Sequence, residues 1–480
     1  MKLTSLIERY RQNTGAVVVE IDAAGDRREI SHAELAEHAG RRAEQLRAAG
    51  VRPGDVVGLR AANSIDWVSW DLGALLVGAV IQAFPDDFPI EDVPAFTRRH
   101  GLALLVLEDT THPGDPARPA PEVDPDLHSL VYSSGTSGAL KGLRISRKGT
   151  EYVIGRFIDS FHISPRDRHL IFLPLANYQQ RLSVYCCLWT GADLVLAPYQ
   201  RVFAALRAEH PTFLIGPPIF YDAARQLAAT SGGGTPLGEF LGGRLRFAIT
   251  GMAPIRRETL DAYAAQGVPL LEAYGMTESG MIGWNTLAEN RPGTVGKLID
   301  PDAVTLLPDG ELLIHRPAPL SLGYFGVPRE TAEETFRPDG TIVTGDYGRL
   351  DADGYLTLRG RKKDVIALAS GRKLHPGEVE AHFVDVPGVA DLIVVPTPNS
   401  HGLAAIVTPT DDGDTQRSGI VEGIGKVNER VDDQFRLTSV LFSARPLRSD
   451  PAFLTANLKL SRTAAAAHYA ERRGAAVAIA

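Results

Sequence analysis

Short apolar runs alternate with helical patterns in the first quarter of the chain, and this alternation limits the fold. Residues 56–59 and 103–107 contain only apolar residues and glycine, as in strands buried on both faces of a parallel sheet. Ser31 and Glu34 have capping-box spacing, which predicts a helix over 32–49, and a second, apolar helix is predicted over 67–77. Strands and helices in this order predict an α/β fold whose ligands bind at the carboxyl ends of the strands.

Composition excludes several classes of protein. The 480 residues carry a formal charge of −8, and basic residues do not cluster with aromatics, so we expect no nucleic-acid partner. No apolar run approaches the ~20 residues of a membrane span, and the charged N-terminus does not resemble a signal peptide. The two cysteines, Cys186 and Cys187, are adjacent and cannot form an ordinary disulfide framework. We therefore expect a cytoplasmic protein without a membrane span.

The segment from Leu130 to Gly142 has the composition of a phosphate-binding loop. Glycines allow backbone N–H groups to converge on an anion, hydroxyls add donors, and a lysine adds positive charge. It is not a Walker A loop, because no Ser or Thr follows the lysine, and a flexible linker is the alternative interpretation. The candidate phosphate ligands are Ser133, Ser134, Gly135, Thr136, Ser137, Gly138 and Lys141.

A second candidate site runs from Glu272 to Glu278. It offers an aromatic face at Tyr274, a close approach at Gly275, a hydroxyl at Thr277 and a carboxylate at Glu278 that suits Mg²⁺. An ordinary Tyr-Gly turn with a surface glutamate is the alternative.

Further along, short strands punctuated by Gly and Asp over 310–346 predict a small β subdomain. The charged run 360–364 is predicted as a domain boundary, and the remainder has the size of a small α+β domain. Residues 112–124, rich in Pro and acidic residues, are predicted as an exposed connection.

Four motifs, in order, resemble those of the adenylate-forming superfamily. The Ser/Gly loop is similar to that family's Thr-Ser-Gly-Thr-Thr-Gly-x-Pro-Lys-Gly, with Leu140 in place of the proline. Residues 274–278 match Tyr-Gly-x-Thr-Glu, and the turn 251–254 resembles Gly-Gly-Ala-Pro. Lys459 takes the place of the family's C-terminal lysine, in a setting closest to that of fatty acyl-CoA synthetases.

The resemblance implies a large N-terminal AMP-binding domain over 1–360, with parallel and mixed sheets covered by helices and a small β subdomain. It also implies a mobile α+β C-terminal lid over 361–480, which rotates about a hinge at Lys363. Such an enzyme is an AMP-forming ligase that adenylates a small or acyl carboxylic acid with ATP and Mg²⁺ and releases pyrophosphate.

By resemblance, each candidate residue receives a role. The β- and γ-phosphates would be held by the Ser/Gly loop, and Lys459, Thr277 and Glu278 would be catalytic, with Glu278 also the Mg²⁺ ligand. The nucleoside would contact Gly251, Met252, Ala253, Tyr274, Gly275, Asp346 and Arg361. Three residues after a Pro-Leu pair are candidates for the substrate pocket: Asn177, Tyr178 and Arg181.

The acceptor of the activated group stays open among several alternatives. Transfer to coenzyme A is the default, and loading of a carrier protein is its close relative. An ATP-dependent diazotase of secondary metabolism, which passes activated nitrite to an aryl amine, is a third alternative because Leu140 and Asn177 depart from the usual pattern. A non-catalytic nucleotide-binding relative is a fourth.

Overall fold

The structure, a computed structural model, describes most of the chain. The described residues are 1–13, 15–108, 110–115, 123–134, 140–231, 234–398, 400–411, 413–447, 453 and 461–479, with the backbone alone at 133, 134 and 140.

Capping side chains, each on the residue directly before a helix, determine where several helices begin. Ser31 Oγ accepts the Glu34 N–H at 3.1 Å while the Glu34 carboxylate accepts the Ser31 N–H at 2.7 Å, so the predicted capping box is confirmed. Ser64 Oγ caps the next long helix by accepting the Trp67 N–H at 3.0 Å. The helices of the described residues are α1 Leu6–Tyr10, α2 His32–Ala48, α3 Ile65–Val77, α4 Val93–His100, α5 Arg147–Phe161, α6 Tyr178–Thr190, α7 Val202–Glu209, α8 Pro218–Thr230, α9 Leu237–Phe240, α10 Arg257–Ala265, α11 Arg329–Glu333, α12 Pro376–Ala381, α13 Asp414–Asn428 and α14 Arg462–Arg472. No helix in this part of the chain is long and apolar enough to cross a membrane.

Strands alternate with these helices through most of the chain. The first half contains β1 Val17–Ile21, β2 Arg27–Ser31, β3 Val56–Arg60, β4 Val80–Ala83, β5 Leu102–Leu107, β6 Thr110–Pro113, β7 Leu127–Ser134, β8 Leu140–Ser146, β9 Arg168–Ile171, β10 Asp193–Leu196, β11 Phe213–Gly216 and β12 Phe247–Thr250. The second half contains β13 Leu270–Met276, β14 Gly280–Trp284, β15 Lys297–Leu298, β16 Val304–Leu306, β17 Glu311–Ile314, β18 Ser321–Phe325, β19 Ile342–Leu350, β20 Leu356–Arg361, β21 Ile366–Ala367, β22 Lys373–Leu374, β23 Val389–Pro396, β24 Leu403–Pro409, β25 Leu437–Phe442 and β26 Val477–Ala478.

Two large sheets form the body of the molecule. One has the order β15-β14-β13-β12-β11-β9-β10-β1-β2 and is parallel from β13 to β1, with antiparallel strands at both edges. The other has the order β18-β8-β7-β4-β3-β5-β6, with β7, β4, β3 and β5 parallel. The predicted α/β fold class is therefore confirmed.

A continuous hydrophobic core joins the two sheets through the helices between them. It contains Val18 of β1, Val57 of β3 and Val131 of β7, together with apolar residues of α2, α3 and α6. Helices α2 and α3 pack closely, because a Cβ on Gly73 would lie only 2.8 Å from Arg42 Cβ. Both cysteines are buried in α6 and are not bonded to each other.

One predicted connection is partly wrong. His112 and Pro113, predicted within an exposed connection, pair with β5 as part of edge strand β6. An edge strand tolerates Pro and polar residues because one of its sides faces solvent.

The last third of the chain forms smaller sheets. Strands β16, β17, β19 and β20 make the predicted β subdomain, and strands β23 to β26 form a four-stranded sheet with α12, α13 and α14. The boundary at 360 falls at the end of β20, and the division into two domains stays a prediction.

Candidate active site

Residues 274–278 lie where the parallel part of the nine-stranded sheet ends. Strand β13 continues from its parallel pairing with β12 into an antiparallel hairpin with β14, and a bulge separates Tyr274 from Gly275. A Cβ on Gly275 would lie 2.8 Å from Met281 Sδ and 2.9 Å from the Gly280 carbonyl oxygen, so glycine is required at this bulge. The segment thus occupies the edge of the sheet where α/β folds bind ligands.

Tyr274 and Asp346 are buried together beside Arg361. The Tyr274 hydroxyl donates to Asp346 Oδ2 at 2.6 Å, and Arg361 Nε lies 3.0 Å from Oδ1 of the same carboxylate. Burial raises the pKa of Asp346 above its usual range, and the nearby guanidinium opposes that increase. Burial also raises the pKa of Tyr274, so its hydroxyl stays protonated and donates. This arrangement leaves an ion pair whose arginine is half exposed at the site.

Glu278 lies at the other end of segment 274–278 from Tyr274. It contacts a tyrosine of the seven-stranded sheet. The Tyr324 hydroxyl donates to Glu278 Oε1 at 2.8 Å, and the glutamate is 9% exposed. Lys141 Nζ lies 5.0 Å from the centroid of the Tyr324 ring, within the range of a cation–π contact. One tyrosine therefore contacts both a predicted phosphate ligand and the predicted metal ligand.

The Ser/Gly loop connects two antiparallel strands. Strand β7 ends and β8 begins at paired positions, with Ser133 opposite Lys141, so the two strands on either side of residues 135–139 form an antiparallel pair. The candidates Gly135, Thr136, Ser137, Gly138 and Lys459 lie outside the described residues, as do the side chains of Ser133 and Ser134. Their roles stay predictions.

The turn after β12 lies beside Tyr274. Thr250 pairs with Glu272 in register, and a Cβ on Gly251 would lie 3.1 Å from the Ala273 carbonyl oxygen, so the turn packs against β13. Met252 has φ of +72° in the left-handed region and an exposed side chain. The backbone of 251–253 thus lies next to the Tyr274 end of the segment.

The three pocket candidates do different things at the start of α6. Asn177 is exposed and caps the helix by accepting the Gln179 N–H at 3.2 Å, whereas Tyr178 is buried and its hydroxyl lies 2.6 Å from Thr150 Oγ1. Arg181 is fully buried, pairs with Asp71 and donates to Ser129 Oγ at 2.6 Å. The Arg181 guanidinium lies 5.0 Å from the centroid of the Tyr178 ring, so the structure brings these two side chains together, whereas Asn177 is exposed. The role of the three residues in a pocket stays a prediction.

Lys363 lies in a short 3-10 turn, Lys362–Asp364, directly after β20. The neighbouring Lys362 Nζ contacts the buried Glu311 carboxylate at 2.7 Å, which attaches this turn to β17. The hinge role of Lys363 stays a prediction.

The chemistry of the donors fits Mg²⁺ bound together with a polyphosphate. Among the described residues, no group of three or more His, Cys, Asp or Glu side chains could hold a metal ion alone. Mg²⁺ in nucleotide sites commonly binds one or two carboxylates and completes its shell with phosphate oxygens and water. The buried carboxylate of Glu278 is a donor of this kind.

Tyr324 is a site residue that the sequence motifs did not assign. Gly323-Tyr324-Phe325 marked only a strand of the β block in the sequence. The Tyr324–Glu278 hydrogen bond joins residues 46 positions apart in the chain, at two different sheets. A local sequence pattern cannot predict a contact of this kind. An aromatic residue flanked by glycine was the only available signal.

Comparison with known proteins places this site in a family. The family model described as AMP-binding enzyme matches residues 7–325. A 4-coumarate–CoA ligase-like protein 4 of Oryza sativa subsp. japonica is 30% identical over 454 residues, covering 81% of this chain and 80% of the relative. The long-chain-fatty-acid–CoA ligase FadD15 of Mycobacterium bovis is 26% identical and covers 74% of each chain. ATP-bound MatB of Rhodopseudomonas palustris superposes with a TM-score of 0.79 at 22% identity, covering 98% of this chain and 100% of that one, and shows the same fold.

The fold and the family match define an adenylate-forming enzyme. The chain belongs to the AMP-binding enzyme family, and the predicted AMP-forming ligase, close to the acyl-CoA synthetases, is confirmed.

Proposed function

We propose that the protein joins a carboxylic acid to coenzyme A through an acyl adenylate made from ATP. The observation that carries this proposal is the distribution of groups along residues 274–278. Buried Tyr274 and Asp346 lie at one end with the half-exposed Arg361. Buried Glu278 lies at the other end, and its partner Tyr324 also contacts Lys141. These two ends suit the nucleoside and the phosphates of one ATP molecule.

At the nucleoside end, Asp346 would accept the ribose hydroxyls, and Arg361 would keep its carboxylate ionised. The turn at 251–253 and the Tyr274-Gly275 backbone would flank the adenine. Because the Asp346 carboxylate is buried, its hydrogen bonds to ribose would be stronger than those of an exposed group. This end would provide affinity and orientation.

At the phosphate end, Lys141 and the Ser/Gly loop would neutralise the β- and γ-phosphates, while Thr277 would contact the α-phosphate. Mg²⁺, when bound, neutralises phosphate charge as the leaving group departs. Glu278 would hold this ion, and Tyr324 would fix the carboxylate's orientation by its hydrogen bond.

The reaction would run in two displacements. A carboxylate oxygen of the acid attacks the α-phosphorus, the bond to the bridging oxygen breaks, and pyrophosphate leaves with that electron pair. Lys459 would stabilise the bridging oxygen. The thiolate sulfur of coenzyme A then attacks the acyl carbon and AMP leaves. Both steps depend on positioning and charge neutralisation rather than on a protein nucleophile.

A carboxylic acid is the substrate class that the similarity to known ligases favours. The similar rice protein is named as 4-coumarate–CoA ligase-like, and the mycobacterial one as a long-chain-fatty-acid–CoA ligase. Asn177, which had suggested an unusual substrate, has a structural role as the cap of α6. The departure of Asn177 from the family's usual pattern therefore gives little support for nitrite.

Pyrophosphate release tests the proposal. The protein is incubated with ATP, Mg²⁺ and each member of a panel of aliphatic acids, aryl acids and nitrite, with and without coenzyme A. We expect release with at least one carboxylic acid and formation of its thioester, and strong loss of both in Glu278→Gln. Release with nitrite alone, accelerated by an aryl amine, would contradict the proposal, as would activity that Glu278→Gln leaves unchanged.

A further inference from the structure

Arg316 holds the backbone directly after Glu278. Its Nη1 donates to the Ser279 carbonyl oxygen at 3.0 Å, and its Nη2 donates to the Met281 carbonyl oxygen at 3.0 Å. The side chain is 3% exposed and lies in the connection between β17 and β18. One guanidinium thus spans the turn that joins Glu278 to β14.

The charge of Arg316 is balanced locally. Asp300 Oδ2 lies 2.9 Å from Nη2, and the Tyr152 hydroxyl donates to the other oxygen of Asp300. The guanidinium also lies 5.6 Å from the Tyr152 ring centroid. The Arg316 side chain is buried, whereas that of Asp300 is 22% exposed. Ion pairs taken out of water seldom stabilise a fold more than apolar residues of similar volume would, so stability alone gives little reason for a charged residue at position 316.

A glycine and two backbone hydrogen bonds also shape this turn. Gly280 has φ of +90°, and a Cβ there would lie 2.9 Å from Val153 Cγ2. The Ser321 N–H donates to the Glu278 carbonyl oxygen at 3.2 Å, and the Leu320 N–H donates to the Ser279 carbonyl oxygen at 3.3 Å. With Tyr324 on the carboxylate, Glu278 is held at its backbone and at its side chain.

We propose that Arg316 is a positioning residue that sets the Glu278 carboxylate for the magnesium-bound nucleotide. This inference rests on the function proposed above. Without the two hydrogen bonds from Arg316 to carbonyl oxygens, the turn could rotate. The Glu278 carboxylate would then be oriented for binding the ion in a smaller fraction of the molecules. Residues that orient metal ligands commonly contribute about 10- to 100-fold to metal affinity.

The test measures ATP binding by calorimetry, without any acid, in Mg²⁺ and in EDTA. We compare the wild type with two variants. Arg316→Met removes both hydrogen bonds, and Arg316→Lys keeps the positive charge but lacks the two guanidinium nitrogens that donate to separate carbonyl oxygens. The control is Arg246→Met. Arg246 also donates to a backbone carbonyl oxygen, that of Phe161 at 2.9 Å, and forms an ion pair with Asp167. It precedes β12, whereas the candidate site lies beyond the other end of that strand.

We expect Arg316→Met to reduce the gain in ATP affinity from Mg²⁺ by about tenfold while affinity in EDTA stays unchanged. Arg316→Lys should lose less, and Arg246→Met should lose nothing. An unchanged Mg²⁺-dependent gain in folded Arg316→Met would overturn the inference. If Arg316→Met does not fold, an unchanged gain in Arg316→Lys would overturn it instead. If the ATP affinity of the wild type were the same in Mg²⁺ and in EDTA, the proposed function would be refuted, and this inference with it.

Discussion

Glu272 is a partly buried acid at the centre of β13, and its environment predicts how stability depends on pH. Its carboxylate accepts the Gly293 N–H at 2.6 Å, and burial raises the pKa of Glu272 to about 7 from the usual 4.5. The hydrogen bond from Gly293 and the charge of Arg257 oppose this increase without cancelling it. The folded protein therefore binds a proton at Glu272 more tightly than the unfolded chain does.

The sign and the size of the effect follow from that difference. Because the folded state holds the proton more tightly, the free energy of unfolding falls as the pH rises from about 4.5 to about 7. One pKa unit corresponds to about 1.4 kcal/mol, so the ionised carboxyl costs at most about 3 kcal/mol above pH 7. Below pH 4.5 the carboxyl is protonated in both states, and the cost is absent.

Glu272→Gln isolates this contribution. Glutamine keeps an oxygen that can accept the Gly293 N–H but carries no charge. Urea unfolding is followed at pH 5 and pH 8 by tryptophan fluorescence, since all four tryptophans lie before residue 285 and report on the part that contains Glu272. We expect the variant to gain up to about 3 kcal/mol over the wild type at pH 8 and much less at pH 5.

A matched substitution separates this effect from the loss of any acidic charge. Glu258 on α10 has a side chain that is 64% accessible and lies 2.8 Å from Arg225, so Glu258→Gln removes an acidic charge from the surface and leaves Glu272 in place. The reasoning would be refuted if Glu272→Gln and Glu258→Gln behaved alike, or if the stability gained by Glu272→Gln were the same at both pH values.

Two further predictions concern the nucleoside end of the site and the first long helix. Asp346→Asn removes the buried charge that Arg361 pairs with, and hydrogen bonds to charged groups contribute about 1.5–3 kcal/mol, so KM for ATP should rise at least about tenfold in pyrophosphate-release assays; an unchanged KM would contradict the ribose role. Ser31→Ala removes the cap of α2 and should cost about 1 kcal/mol in urea unfolding with activity per folded molecule unchanged; a stability equal to that of the wild type would show that the capping box contributes nothing.

Local patterns predicted the elements that local forces determine. The capping box at Ser31 placed the start of α2, and the continuous apolar runs became β3 and β5, because buried parallel strands need apolar residues on both faces. The same logic failed at His112, where pairing with β5 outweighed a polar, proline-containing sequence. The sequence of an edge strand gives little local indication of strand structure. Whether such a segment forms a strand depends on pairing with its neighbour.

The site was predictable to the extent that its residues lie in short motifs. Tyr274 and Glu278 could be found from one five-residue pattern, whereas Tyr324 and Arg316 could not, because each acts through contacts with a distant part of the chain. Arg181 shows another limit. Its position after a Pro-Leu pair predicts a pocket residue, which stays a prediction, and no local pattern indicated its buried ion pair with Asp71 on another helix. A charged residue next to a motif does not reveal whether a distant partner buries it.

Tyr324 explains how two motifs far apart in the chain can form one site. It belongs to β18, which pairs with β8 of the seven-stranded sheet, next to the strand position of Lys141. Its hydroxyl reaches Glu278, which follows β13 of the nine-stranded sheet. Because one rigid side chain contacts both residues, the packing of the two sheets sets the separation between the lysine and the carboxylate. In the proposed function, that separation has to suit a polyphosphate with its cation. The interface between the sheets, rather than either motif alone, would then determine whether the site can bind one.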